Sequence, residues 1–407
     1  MSGYTDCEAR KKGPWLRERN EMKIVFWCSL IFIFYVYAGY PILLYLWTKY
    51  KTNKIQVREL SPLPMISILI AAKNEEANIG RRLDNLLSTE YPKEKMEIII
   101  VSDGSSDGTS RIVIEKIYKQ EALSSTNQQI AKIILLVLDE SRGKAHALNE
   151  AYRAASGDYI VFTDCRQVFK KDAIKRLLSN FSDPRIGCVS GELIFNKNTG
   201  SSIEEEVEIY WNLEKRIRKM ESEIGSVAGA TGAIYAIRKH LYTPMPDRLI
   251  LDDVYVPMKI VCAGYRTLFD SGAIAFDRVS EDYSKERARK IRTLLGNYQL
   301  LKYMPELLSP LKNPIFLRFI SHKVLRLFVP YFILSLFISS YFEKGVVYDA
   351  IFYLMLIMIT LPFFDKALSH IPTISILAKI SRTFIALNYF ALLAFLKLLK
   401  SKNEDIW

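Results

Sequence analysis

The chain has 407 residues, a formal net charge of +12 and a hydrophobic share of 50%. Its length exceeds one average domain, and a mean hydropathy of only +0.06 excludes a chain that is apolar throughout. The charge suits nucleic acid, an anionic membrane face or a phosphorylated substrate; long apolar runs decide for the membrane, and no nucleic-acid partner is expected.

Residues 1–23 form a basic tail carrying Arg10, Lys11, Lys12, Arg17, Arg19 and Lys23. Residues 24–48 follow as a transmembrane helix: the run "IVFWCSLIFIFYVYAGYPILLYLW" is long enough to span the hydrocarbon core, with Gly39 and Pro41 marking a kink. It is too long for a signal-peptide core and no small-residue cleavage site follows, so it reads as retained. Residues 49–63 are a linker, in a stretch that carries two prolines, "KTNKIQVRELSPLPM".

From residue 64 the pattern becomes apolar strand, polar turn, amphipathic helix, repeated. "MISILIAA", "EIIIVSD", "IILLVLD" and "YIVFTD" read as strands; "NEEANIGRRLDNLLS", "GSSDGTSRIVIEKIYK" and "GKAHALNEAYRAAS" read as turns and helices between them. Near-continuous apolar strands alternating with helices predict a parallel sheet covered on both faces. Ligands in such sheets sit beyond the carboxyl ends of the strands, where Asn74, Glu75, Asp103 and Asp164 all fall. Each also has a bland reading. Asp103 can shape a turn or cap a helix, Asn74 and Glu75 can cap the next helix, and Lys144 can be a solvated charge, although a helix start after Gly143 suits phosphate. His146 is assigned no role.

Farther on, "SSIEEEVEIYWNLEKRIRKMESEIG" opens like a capping box, Ser202 with Glu205, and its clustered acids read as a solvated face. "GSVAGATGAIYAIRK" supplies small residues that let backbone approach a ligand, or simply a buried glycine-rich turn. "LDDVY" offers paired carboxylates, Asp252 and Asp253, for acid–base work or as a helix cap. Residues 284–323 read as amphipathic interfacial helices. In "SKERARKIRTLLGNYQLLKY" the positions Ile291, Leu294, Leu295 and Tyr298 share one side, with basic residues elsewhere that can meet anionic lipid.

Residues 324–399 hold three further spans, at 324–342, 346–364 and 383–399, and residues 400–407 a tail. The last span is the shortest, and a buried or interfacial helix is its alternative. The turn between the first two carries little positive charge, whereas Lys366, Lys379 and Arg382 mark the next connection. The positive-inside rule then makes that turn external and the middle domain cytosolic, as an integral protein of the plasma (inner) membrane. Four spans leave the basic amino-terminal tail outside, against the same rule. Cys7, Cys28, Cys165, Cys188 and Cys262 are scattered without a CxxC, as expected of free thiols in a cytosolic domain.

The motifs "SILIAAKNEEANI", "EIIIVSDGSSDGT", "RGKAHALNEAYRAASGDYIVFTD", "GATGAIYAIRK" and "LDDVYVPMKIVCAGYRTLFD" resemble, in order and spacing, those of the family 2 glycosyltransferases. The match runs over about residues 64–308, and with the flanking apolar helices it is most similar to the membrane-embedded polysaccharide synthases of the poly-N-acetylglucosamine, hyaluronan, chitin and cellulose type. The resemblance implies an α/β, Rossmann-like GT-A domain over residues 64–283. It implies an inverting hexosyltransferase that moves sugar from a nucleotide donor, a UDP-sugar foremost, to a saccharide or lipid-linked acceptor among membrane lipids. By resemblance Ala71, Asn74, Glu75 and Asp103 bound the nucleoside, Lys144 lies beside the nucleotide, and Asp164 holds a divalent metal, Mg²⁺ or Mn²⁺, on the diphosphate. Gly229, Thr231, Gly232 and Asp252 belong to the acceptor region, Asp253 matches the catalytic base, and Arg292 matches the arginine that stabilises the departing diphosphate.

Two departures stand out. Arg166 occupies the last position of the Asp-x-Asp, where a guanidinium cannot ligate a cation; it can add positive charge near the diphosphate or pair with a neighbouring acid. Processive relatives carry Gln-x-x-Arg-Trp where this chain has Arg289, Arg292 and Thr293, which puts long-chain synthesis in question. A non-catalytic nucleotide-sugar or cyclic-nucleotide binding subunit of a synthase complex is the alternative from another class; a transporter fits poorly, with few spans and little intramembrane charge.

Overall fold

The computed structural model of the protein describes residues 14–53, 55–124, 129–196, 202–278, 283–364 and 370–400. The expectations for Cys7, Arg10, Lys11, Lys12, Lys366 and the carboxyl-terminal tail beyond residue 400 lie outside the described residues, as do the side chains of Ser202 and Glu205. The chain divides into two compact units, Met1–Leu43 with Ser321–Leu396 and Leu44–Ile320 with Lys397–Trp407.

Apolar helices make up the first unit. Helix α1 (Pro14–Phe34) passes through a π-turn, Tyr35–Gly39, into α2 (Tyr40–Tyr50). The wide turn falls just before Pro41, which has no N–H for the helical ladder, at the place where a kink is expected from sequence. A second π-turn, Ile320–Val324, follows α10 (Phe316–Phe319), whose residues belong to the second unit, and leads into α11 (Leu325–Phe342); the Tyr35 and Ser321 hydroxyls of the two π-turns are hydrogen-bonded at 2.7 Å. Helices α12 (Val346–Thr360) and α13 (Pro372–Lys400) complete the set. Among the described residues, four stretches are long and apolar enough to cross a membrane: Asn20–Tyr50, Phe316–Phe342, Val346–Phe364 and Thr373–Lys400. The last is much longer than its apolar run, because Lys379 and Arg382 interrupt the hydropathy but are good helix formers.

In the second unit the strands are β1 (Ile66–Ala72), β2 (Met96–Asp103), β3 (Lys132–Leu138), β4 (Tyr159–Phe162), β5 (Val168–Phe169), β6 (Ile186–Asn196), β7 (Tyr235–Arg238) and β8 (Arg266–Arg278). They form one sheet in the order β3-β2-β1-β4-β7-β6-β8-β5. Strands β1 to β4 run parallel, as their apolar runs predict, whereas β7 is antiparallel to both β4 and β6. The helices are α3 (Glu76–Leu87), α4 (Thr109–Ser124), α5 (Lys144–Ala154), α6 (Ala173–Ser179), α7 (Ser202–Ile224), α8 (Asp252–Cys262) and α9 (Tyr283–Tyr303). Ile66, Ile68 and Ile70 of β1 pack with Ile98 and Ile100 of β2 and with Ile79, Leu83 and Leu86 of α3. Each such side chain stabilises the fold by about 1.5–3 kcal/mol, so the strand ends are held on a rigid frame.

Two expectations change here. Helix α7 is not merely a solvated acidic face: Glu214 and Glu221 are buried beside Ile217. On α9, Ile291 and Leu295 are likewise buried within the protein, while Leu294 and Tyr298 of the same side are half-buried.

Candidate active site

Strands β2 and β3 lie on one side of β1 and β4 on the other, so the strand order reverses at β1 and leaves a crevice beyond its carboxyl end. Ala71 lies in β1 near that end, and Asp103 closes β2. Asn74 adopts a left-handed backbone, φ +53°, which Asn tolerates better than most residues. Its Oδ1 accepts the Ser106 N–H at 2.9 Å, while the Glu75 N–H donates to Thr109 Oγ1 at 2.8 Å. These two residues lash the loop after β1 to the loop after β2; Glu75 stands at the N-cap of α3, but its side chain makes no cap hydrogen bond. Buried Asp103 looks the other way. It accepts the Arg142 N–H at 2.7 Å, the Gly143 N–H at 2.9 Å and the Ser141 hydroxyl at 2.8 Å, and so orders the turn that delivers Lys144 to the start of α5.

Lys144 Nζ stands 2.9 Å from Asp164 Oδ1 and 3.2 Å from Asp252 Oδ1. Burial disfavours the ammonium, but Asp164, Asp252 and Asp253 outweigh it and hold the lysine above its ordinary range. Asp252 is buried at the first turn of α8, and its Oδ2 has no hydrogen-bond partner among the described residues. Burial, with Lys144 opposing and the charges of Asp253 and Asp164 adding, pushes Asp252 up to about 6. As the pH falls through about 6, Asp252 takes a proton and its attraction for Lys144 is lost. The pH profile of kcat/KM is therefore expected to show an acid limb there that Asp252→Asn lacks; an unchanged limb in the variant assigns it to another group.

The segment between β4 and β5 carries Asp164, whose side chain is 39% exposed. Arg166, left open by sequence, pairs with an acid: its Nη2 donates to Asp277 Oδ2 at 2.9 Å, and Gln167 Nε2 donates to the same oxygen at 2.9 Å. Beneath the segment lies Arg82, wholly buried and pushed down to about 9 by burial against the charges of Cys165 and Asp164.

On the acceptor side, Gly229 (φ +124°) begins the turn that runs to Gly232. The Ala230 N–H donates to the Asp253 carbonyl at 2.6 Å. Gly232 lies so close that a Cβ there would stand 3.2 Å from Asp253 Oδ2, so glycine lets the turn approach that carboxylate. Thr231 does not face outward: its N–H donates to Ser190 Oγ at 2.8 Å and its Oγ1 accepts from Arg218 Nη1 at 2.9 Å. Helix α9 docks on the segment leading to the acids through Gly296, where a Cβ would fall 2.6 Å from Leu251 Cγ. Gln299 reinforces that contact by accepting the Ile250 N–H at 2.9 Å. Arg292 precedes Gly296 by one turn and so shares its side of α9; it is exposed. Arg289 is committed on its own helix to Glu286, at 3.4 Å.

Sequence reasoning missed several supports. Arg82 sits three residues after Ile79 and four before Leu86, in the buried stripe of α3; that spacing was the available signal. His146 Nδ1 lies 3.1 Å from Asp247 Oδ1, and Asn149 Nδ2 donates to the Met245 carbonyl at 2.8 Å. Both brace the segment that enters Asp252.

A Rossmann-like mixed sheet with acids gathered at its switch point defines a nucleotide-diphospho-sugar transferase of the GT-A type. The Glycosyl transferase family 2 model matches residues 67–243, and the Glycosyl transferase family group 2 model matches residues 159–398, more than half of the chain. The chain belongs to the family 2 glycosyltransferases. It is 31% identical over 258 residues to the poly-beta-1,6-N-acetyl-D-glucosamine synthase of Staphylococcus aureus (strain COL), covering 62% of this chain and 59% of that protein. It is 29% identical over 241 residues to the Staphylococcus epidermidis synthase, covering 58% and 55%. The chain thus spans under three fifths of the length of the curated relatives it matches. Among solved structures, the mannosyltransferase PcManGT from Pyrobaculum calidifontis, in complex with GDP-Man and Mn²⁺, aligns with a TM-score of 0.70 at 20% identity, over 94% of this chain and 99% of that one. At that identity the likeness establishes the fold.

The donor set fits a divalent cation of the hard, oxygen-seeking kind. One Asp164 oxygen is held by Lys144, and the other takes no hydrogen bond among the described residues. No group of three or more His, Cys, Asp or Glu side chains is gathered for a metal among the described residues; a cation here would be held by Asp164, waters and substrate phosphates.

Proposed function

We propose that this glycosyltransferase is an inverting enzyme of cell-surface or extracellular polysaccharide synthesis. It transfers sugar from a nucleotide-sugar donor, a UDP-sugar foremost, to a saccharide or lipid-linked acceptor. The carrying observation is the Lys144 bridge, 2.9 Å to Asp164 and 3.2 Å to Asp252. It brings the donor-side and acceptor-side acids to one point at the switch of the sheet. Ala71, Asn74, Glu75 and Asp103 bound the nucleoside; Gly229, Thr231 and Gly232 shape the acceptor side.

Asp253 is the base. Unlike Asp252 it is partly exposed, so an acceptor hydroxyl can reach it. It takes the hydroxyl proton as the acceptor oxygen bonds to the anomeric carbon and the bond to the nucleoside diphosphate breaks on the opposite face. Arg292 steadies the negative charge that grows on the leaving diphosphate, together with Lys144. Mg²⁺ or Mn²⁺ on Asp164 would neutralise part of that same charge.

The four apolar helices among the described residues, a similarity to synthases and a turn after Phe342 with a single basic residue, Lys344, support an integral membrane enzyme with its catalytic domain facing the cytosol. Incubating the purified full chain with UDP- and GDP-sugars and an oligosaccharide or lipid-linked acceptor, with Mg²⁺ or Mn²⁺, should release nucleoside diphosphate and yield an extended product by mass spectrometry. Tight UDP binding with no turnover on any donor would instead mark a non-catalytic subunit.

A further inference from the structure

We infer that Arg82 is a positioning residue for Asp164, fixing the acid's segment from beneath; this rests on the reading of Asp164 as the cation ligand. Arg82 is 1% exposed, within the stripe of α3 that also buries Ile79, Leu83 and Leu86. Its Nη2 donates to Thr163 Oγ1 at 2.7 Å and its Nη1 to the Gln167 carbonyl at 3.0 Å. Those two residues flank Asp164, Cys165 and Arg166, so a single guanidinium ties down both ends of the three-residue bridge that presents the acid. A further bond from Nη1 to Asn85 Oδ1 at 2.6 Å and the Phe169 ring, 4.0 Å below the guanidinium carbon, lock the fork in plane.

Among the described residues no carboxylate hydrogen-bonds to this buried cation, and its Nε has no partner. Burying a charge on neutral partners is costly, and an apolar side chain would fill the stripe without that cost. The return is geometric: a planar fork sets two anchor points at a fixed separation, which neither an apolar side chain nor a lysine provides. The anchor also reaches the acceptor side. The Thr163 hydroxyl that accepts from Arg82 donates to the Ala233 carbonyl at 2.8 Å, next to Gly232, which packs against Asp253. Arg82 thus sets the donor-side acid and the acceptor turn relative to each other without touching substrate.

The test is Mn²⁺ binding to the full chain in detergent with saturating UDP, read from the electron paramagnetic resonance signal of free Mn²⁺. Arg82→Met should weaken Mn²⁺ binding about 10–100-fold, the range for losing an outer-shell support of a metal ligand. Arg82→Lys, which keeps the charge without the fork, and Thr163→Val, which keeps the volume without the hydroxyl the fork holds, should weaken it in the same direction and keep the assay readable if Arg82→Met does not fold. Arg238→Met is the control. Arg238 donates to the Ile186 and Phe181 carbonyls, each at 2.8 Å, far along the sheet from Asp164, and its loss should leave Mn²⁺ binding unchanged. Wild-type affinity in Arg82→Lys and Thr163→Val, or equal weakening in Arg238→Met, overturns the role given to Arg82 alone. A wild-type chain that binds no Mn²⁺ with UDP removes the metal reading of Asp164, and Arg82's role with it.

Discussion

Asp253→Asn is expected to lower kcat by about 10²–10⁴, the usual contribution of a positioned base, while the KM for the donor stays within about twofold. The split follows from where the residue stands. Its side chain is partly exposed and faces the Gly232 turn, and its backbone carbonyl accepts the Ala230 N–H at 2.6 Å. The isosteric amide keeps the size of the side chain and leaves the backbone bond intact, so the α8 start and its turn survive. What disappears is the ability to accept the acceptor's proton. A donor KM that rises with kcat unchanged would move Asp253 from catalysis to binding. Full turnover in the variant would transfer the base to another group, with Asp252 the nearest candidate.

Asp164→Ala is expected to abolish metal-dependent transfer, so that added Mn²⁺ or Mg²⁺ no longer raises the rate. The fold should tolerate the change. Asp164 is 39% exposed, and without it Lys144 keeps its second acid, Asp252, at 3.2 Å, so the ammonium is not left unpaired. Thermal unfolding and UDP-dependent Mn²⁺ binding separate the two effects: the first should move little and the second should vanish. Arg166→Ala serves as the contrast. Its guanidinium pairs with Asp277 at 2.9 Å and cannot ligate a cation, so its loss should leave the response to metal in place. Metal stimulation that persists in Asp164→Ala would place the cation elsewhere.

Much of the frame was legible in the sequence. Each of the first four strands is an apolar run ended by a polar turn, and the parallel ladder makes that pattern continuous. Asp103 and Asp164 could be placed at strand ends for that reason. The later half was harder. β5 and β7 are only two and four residues long, and the register of β6 against β8 slips near Gly191, so no long period marks them.

The site residues divided in the same way. Acids at strand ends announce themselves, but their supports come from distant segments. Nothing near Arg166 in the chain predicts Asp277, and nothing near Lys144 predicts Asp252; tertiary folding alone supplies both pairs. Arg82 was visible only as a charge in an apolar stripe, and Ile291 and Leu295 as an apolar stripe read toward lipid, because the segments that bury them lie elsewhere in the chain.

The most direct test of direct displacement at Asp253 is the anomeric configuration of the first transferred sugar, read by proton nuclear magnetic resonance on the product of the purified enzyme. Inversion relative to the donor is the expected result. Retention of the donor's configuration would contradict a single in-line attack with Asp253 as base.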